Sequence, residues 1–149
     1  MSNAEIVELY PSVEDQVSAE EWEMRVNLAA AYRLVELYDM SDMTRTHISA
    51  RVPGEDTFLL NPYGLMFSEV TASSLIKVDQ DGNEINNSGP YKINPAGSTI
   101  HSAVHGHSHE LACVLHTHSE AGMALSAMDC GLLPISQHSM RFYNRISYH

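Results

Sequence analysis

The spacing of apolar positions along this chain changes several times, and each change marks an element. Met24, Leu28, Ala31, Val35 and Tyr38 recur at helical spacing, which predicts one amphipathic helix over residues 19–38. Ser18 stands where an N-cap belongs, and Glu21 three residues on fits a capping box. The period then drops to two. In Thr46-His-Ile-Ser-Ala-Arg-Val52 the residues Ile48, Ala50 and Val52 share one face of a predicted strand. Pro53-Gly-Glu-Asp56 is a hairpin turn and Thr57-Phe-Leu-Leu60 the return strand. Asn61-Pro-Tyr-Gly64 turns the chain again. A single helical turn from Thr71 or Ser73 precedes a strand over residues 75–79. The turn Asp79-Gln-Asp-Gly82 superficially resembles a calcium loop. It lacks the third acidic ligand before the glycine and the distal glutamate, so calcium is excluded there.

Residues 86–95 form a Gly-, Asn- and Pro-rich loop, and 98–105 read as a helix. A continued helix would set His101, His105 and His109 on one face as a second metal trap. Gly106 weakens that continuation, and His105-Gly-His-Ser-His109 reads as a solvated loop. A central strand is predicted over residues 112–118, and Ser119 caps a helix reaching about residue 128. Residues 132–136 predict a short strand, with His138 just beyond it. Residues 1–18 read as a loose acidic leader broken by Pro11, and residues 19–149 as one compact α/β domain.

Composition narrows the function classes. The formal charge of −11 opposes nucleic acid and anionic membrane surfaces, since both demand a positive footprint. No run has the length of a transmembrane helix, and the first residues lack a secretory pattern. Two cysteines, Cys113 and Cys130, make no disulfide framework and suit a reduced, cytoplasmic protein. Nine histidines outnumber the eight lysines and arginines together, and they cluster late in the chain.

The sharpest chemical signal is Val114-Leu-His-Thr-His118. Alternate side chains of a strand share a face, so His116 and His118 point the same way. Neutral imidazole is a common zinc ligand, although a metal site needs three or four donors. A half-buried strand carrying two hydrogen-bonded histidines fits the same spacing.

Taken together, Thr46-His-Ile-Ser-Ala-Arg51, Leu60-Asn-Pro-Tyr-Gly64, Val78-Asp-Gln-Asp-Gly82, Asn94-Pro-Ala-Gly97 with His101, and Val114-Leu-His-Thr-His118 resemble the class II aldolase/adducin family from about Val26 onward. Ala124-Leu-Ser-Ala-Met-Asp-Cys-Gly-Leu-Leu-Pro-Ile-Ser136 is similar to the adducin-like branch. The resemblance implies a three-layer α/β/α fold with a mainly antiparallel central sheet, assembled as an oligomer, usually a four-fold ring. It implies that His116 and His118 occupy two of three zinc-ligand positions, and that His47, Tyr63, Gly64 and Gly97 lie at substrate-binding positions. The implied chemistry is lyase-like, on a small carbonyl or hydroxy compound, through an enediolate held by the metal.

Three departures from the family pattern stand out. Gly97 occupies the position of the catalytic glutamate. Pro95 and Ala96 replace phosphate-holding serines, which points away from a phosphorylated substrate. The third zinc histidine has no counterpart in these residues, so the chain reads as the N-terminal part of a longer domain. His138 falls near the family's tyrosine proton donor and is the candidate acid–base group, although a histidine hydrogen-bonded at a subunit interface fits the position equally well. The alternative reading is a non-catalytic adducin-like module kept for self-association. A histidine-rich metal buffer built on His105, His107 and His109 is a third.

Overall fold

In the computed structural model the described residues are 2, 5–6 and 9–148. They divide into two compact units, Met1–Thr117 and His118–His149.

The first unit is built on helix α1, Ala19–Leu37, and an antiparallel sheet. Its strands are β1 (His47–Arg51), β2 (Phe58–Leu60), β3 (Ile76–Val78), β4 (Glu84–Asn86) and β5 (Cys113–His116), in the spatial order β4-β3-β2-β1-β5. Helix α2, Pro95–His107, leads into β5.

Ser18 caps α1 by accepting the Glu21 amide at 3.1 Å, as its sequence position predicts. The Glu21 carboxylate does not turn back to complete a capping box. One oxygen accepts from Arg25 Nε at 2.8 Å and the other from Lys77 Nζ at 2.9 Å. Leu28, Ala29, Tyr32 and Val35 form the buried face of α1, whereas Tyr38 is 69% exposed. The expected face is therefore rotated, because Arg25 and Tyr32 point inward to meet polar groups. Arg25 donates to the Leu75 carbonyl at 2.7 Å, and the Tyr32 hydroxyl bridges Asn61 and the backbone of Ile48.

Ile48, Ala50 and Val52 meet this helix in the main core, together with Leu59, Leu65, Phe67 and Leu75. Of the residues read as a leader, Ile6, Tyr10 and Val13 are buried as well. The remainder of that expectation falls partly on residues outside the description.

The opposite face of the sheet carries His47, Ser49 and Arg51 of β1. Register places Ser49 against Leu60 and Arg51 against Phe58, and pairs Phe58 with Val78 and Leu60 with Ile76. Phe58, Leu60, Ile76 and Val78 form a second apolar cluster. Helix α2 covers this face, so the first unit has helix, sheet and helix in three layers. Asn94 caps α2 by accepting the Ala96 amide at 3.1 Å, and Pro95 takes the first helical position, where its missing N–H costs nothing. The other end is held by Arg51, which donates to the carbonyls of His105 at 2.6 Å and Ser108 at 3.3 Å. This explains why α2 continues through Gly106 instead of breaking into a loop. Tertiary contacts outweigh a glycine cost of about 1 kcal/mol.

β5 is shorter than the predicted strand over residues 112–118 and lies at one end of the strand order. β4 escaped prediction because its one apolar residue, Ile85, is 55% exposed.

In the second unit Ser119 caps helix α3, Glu120–Ser126, by accepting the Gly122 amide at 3.3 Å. A short helix α4, Gln137–Met140, is capped by Ser136. Residues 132–136, predicted as a strand, form none. Pro134 removes a ladder donor from the middle of that segment, and Ile135 is 85% exposed.

Candidate functional site

Strand alternation builds the site. His47, Ser49 and Arg51 face α2, while Ile48 and Ala50 face the core. Helical spacing supplies the partners, because His101 and His105, four residues apart, lie on the side of α2 that meets the sheet. His47 Nδ1 lies 2.7 Å from His101 Nε2, and His101 Nδ1 lies 2.5 Å from Ser49 Oγ. Ser49 Oγ lies 2.8 Å from His105 Nε2, and His105 Nδ1 lies 3.2 Å from the Leu111 carbonyl. The His105 ring stacks on Phe58 with centroids 4.8 Å apart. All four side chains are buried, with Ser49 and His101 at 0% exposure.

Burial governs the charge of this row. It pulls His101 down to about 3, helped by the neighbouring His47, His105 and His116. Burial likewise lowers His105, with Arg51 acting in the same direction and the Leu111 carbonyl opposing. Both rings are therefore neutral at pH 7.

β5 brings a further histidine to this face. In the β1–β5 register His47 lies directly opposite His116, and their ring centroids are 4.6 Å apart with planes tilted by 34°. Gly97, in the first turn of α2, borders the same point. A β-carbon there would lie 3.0 Å from His47 Cδ2 and 3.2 Å from its Nε2. The position where the family pattern has a glutamate thus faces the His47 imidazole.

Tyr63 is 52% exposed, and Gly64 turns the chain at φ +111° with the Tyr91 ring beside it. His118 is half-buried at the start of the second unit, and His138 is exposed on α4. His105, His107 and His109 do not converge. His105 is buried, His107 is exposed, and His109 pairs with Asp56 at 3.0 Å. The metal-buffer reading therefore has no structural basis in these three.

Sequence reasoning missed the roles of Ser49, His101 and His105. The signal was there: a polar stripe on alternate residues of β1, and two histidines at i, i+4 on α2.

Neutral imidazoles suit zinc and its neighbours, so the donor chemistry at His47 and His116 fits such an ion. Two zinc-bound imidazoles have centroids about 5 Å apart, given a Zn–N distance of about 2 Å. The spacing of these two rings is compatible with that. Among the described residues, however, no three His, Cys, Asp or Glu side chains are grouped to hold a metal.

Comparison with known proteins gives a consistent picture. Residues 26–149 match the sequence model described as the Class II Aldolase and Adducin N-terminal domain. A provisionally named class 2 aldolase of Pseudomonas aeruginosa is 58% identical over 92% of this chain and 52% of its own length. Rat alpha-adducin is 44% identical over 85% of this chain and 17% of its own length. Among solved structures, an aldolase II superfamily protein from Pseudomonas syringae superposes with a TM-score of 0.90 at 55% identity, covering 93% of this chain and 56% of that one. The L-fuculose 1-phosphate aldolase of Glaciozyma antarctica superposes at 0.80 with 33% identity, covering 91% and 54%. The chain spans about half the length of the class 2 aldolase relatives it matches.

Proposed function

This chain belongs to the class II aldolase and adducin family, and from that premise we propose that it carries part of an aldolase-type site for a small, non-phosphorylated carbonyl or hydroxy compound. The observation that carries the reading is the buried row of His47, His101, Ser49 and His105 ending beside His116. Burying polar side chains costs stability unless each finds a partner, and here the row of partners leads to His116.

His116 and His118 are assigned to a divalent metal, zinc first, on their spacing and the family pattern. Such an ion, when bound, polarises a substrate oxygen as a Lewis acid. The chain's own residues do the rest. His47 lines the site beside Gly97, with Tyr63 and Gly64 as further substrate-binding positions. The neutral row behind His47 holds its ring. His138 is the acid–base candidate: its imidazole takes the proton from the carbon alpha to the carbonyl and returns one to that carbon.

Two features of α2 support a substrate without phosphate. Pro95 has no amide hydrogen, and the Ala96 amide is already taken by Asn94 Oδ1. The helix start therefore offers a phosphate fewer of the amides that usually bind one. Like other members of its family, the protein is expected to act as a homo-oligomer, a tetramer being the usual form.

The test is proton exchange. The zinc-loaded full chain is incubated in D2O with unphosphorylated hydroxy-ketones and followed by proton NMR. Loss of the signal from hydrogen alpha to the carbonyl is expected, and it should vanish in His116→Ala. Exchange by the variant at the parental rate, or none with any compound, would count against the reading. Gly97, which offers no carboxylate, favours the second reading, a non-catalytic module for self-association as in adducin. Absence of exchange together with concentration-dependent assembly would select it.

A further inference from the structure

Residues near the start of the chain are built into its core. Ile6 and Tyr10 belong to the main apolar cluster, and Val13 is buried as well. The Tyr10 ring lies across Gly89. A β-carbon at position 89 would stand 1.9 Å from Tyr10 Cε1 and 2.5 Å from its Cζ, so any side chain there would expel the ring. Pro90 follows, and its fixed φ stiffens the loop at the point of contact. The Tyr10 hydroxyl is buried, and burial pushes it up to about 12, with the Tyr91 backbone opposing. From there the 87–93 loop is tied to the candidate site. The Lys92 carbonyl accepts the Tyr63 amide at 2.8 Å, Ile93 bridges to Pro62, and the Tyr91 ring lies beside Gly64. The loop then runs into Asn94, the cap of α2.

We propose that the N-terminal segment is a clasp: Tyr10, seated on Gly89, holds the 87–93 loop against the Tyr63–Gly64 turn and so sets the shape of that turn. Tyr10 is a positioning residue, because it acts through the loop. The substrate-binding role of the turn rests on the aldolase-type reading above, whereas the clasp stands without it. The other ties of the loop sit toward its ends. Ser88 Oγ donates to the Ser73 carbonyl at 2.7 Å, and Glu84 accepts the Ile93 amide at 2.9 Å. None of residues 87–93 is itself buried, so the loop adds little to the core and depends on the ring that lies on it. Segments with little buried apolar surface open at lower free energy than the strands around them. Whatever draws Tyr10 from its seat therefore loosens the turn.

The experiment is amide hydrogen exchange of the full chain, followed residue by residue by NMR. The amides of Tyr10, Tyr63, Gly89 and Ile93 are all hydrogen-bonded and report on the two sides of the clasp. In the parent they should exchange through one shared opening, with a common dependence on denaturant. Separate openings of Tyr10 and the other three would overturn the proposal. In Tyr10→Ala the Tyr63, Gly89 and Ile93 amides should exchange about tenfold faster or more, with β1 and β2 far less affected. Acceleration spread evenly over β1 and β2, or confined to the N-terminal segment, would mark a merely structural tyrosine and overturn it. Gly89→Ala should reproduce the Tyr10→Ala pattern, and Tyr10→Phe, which keeps the ring, should restore the parental rates. If the alanine variants fail to fold, the shared opening in the parent still decides the matter. These rates do not depend on substrate, so the clasp and the aldolase-type reading fail separately.

Discussion

A methyl group at position 97 would stand 3.0 Å from His47 Cδ2, closer than side chains normally approach without displacement. Overpacking of this kind costs about 1–3 kcal/mol, whereas alanine in place of glycine within a helix gains up to about 1 kcal/mol. Gly97→Ala is therefore expected to destabilise the parent but to stabilise His47→Ala, where the space is empty. Urea denaturation of the four proteins should show a coupling of at least about 1 kcal/mol. Equal effects in both backgrounds would show that the two residues do not share this volume. Charge gives a second expectation at this scale. His101 protonates near 6.5 in the unfolded chain but only near 3 in the folded protein. Between those values the unfolded state holds more protons, so the metal-free protein loses stability as pH falls below about 6.5. The slope is up to about 1.4 kcal/mol per pH unit for one such histidine. Denaturation at pH 7, 6 and 5 checks it, and a flat profile would mean that the row is hydrated or already charged.

Elements are joined here by buried polar contacts as much as by apolar ones. Arg25, 1% exposed, ties α1 to the Leu75 carbonyl and to Glu21, which in turn holds Lys77 of β3. Arg25→Ala leaves the Glu21 carboxylate buried with one partner fewer, so a loss of about 3–5 kcal/mol is expected in thermal or chemical denaturation. A loss under 1 kcal/mol would show that Glu21 and Lys77 suffice. These contacts also mark what the sequence left unread. Helical and period-two spacing located α1 and β1 because their apolar residues meet a single core, whereas β2, an apolar run buried on both faces, followed from the hairpin turn before it. Arg25 and Tyr32 were not legible as inward residues, since the carbonyls of Leu75 and Ile48 that receive them lie 50 and 16 positions away. The extent of α2 was hidden for a similar reason: Arg51, distant in sequence, caps it. β4 and the absent strand at 132–136 failed for lack of contrast, one being polar apart from the exposed Ile85, the other apolar but interrupted by Pro134.

For the whole molecule, family and fold were legible from short motifs, whereas the assembled row of histidines was not. His116 was visible through its spacing to His118, but the facing of His47 and His116 depends on β1–β5 register. The described surface also carries apolar groups that need cover. Leu115 on β5 is 54% exposed, and in the second unit Ile135, Phe142 and Tyr143 are 85%, 53% and 59% exposed. Exposed apolar side chains and open strand edges are normally met by partners. Self-association across a concentration series in sedimentation is therefore expected, with a melting temperature that rises with concentration. A monomer with a concentration-independent melt would contradict this.

The proposed metal site at His116 and His118 is put to the test by equilibrium zinc binding to the parent and to the His116→Ala, His118→Ala double variant. Specific binding to the parent is expected, weak because few protein ligands are in place, with loss of binding in the variant while the fold is retained. Equal stoichiometry and affinity in the two proteins would contradict it.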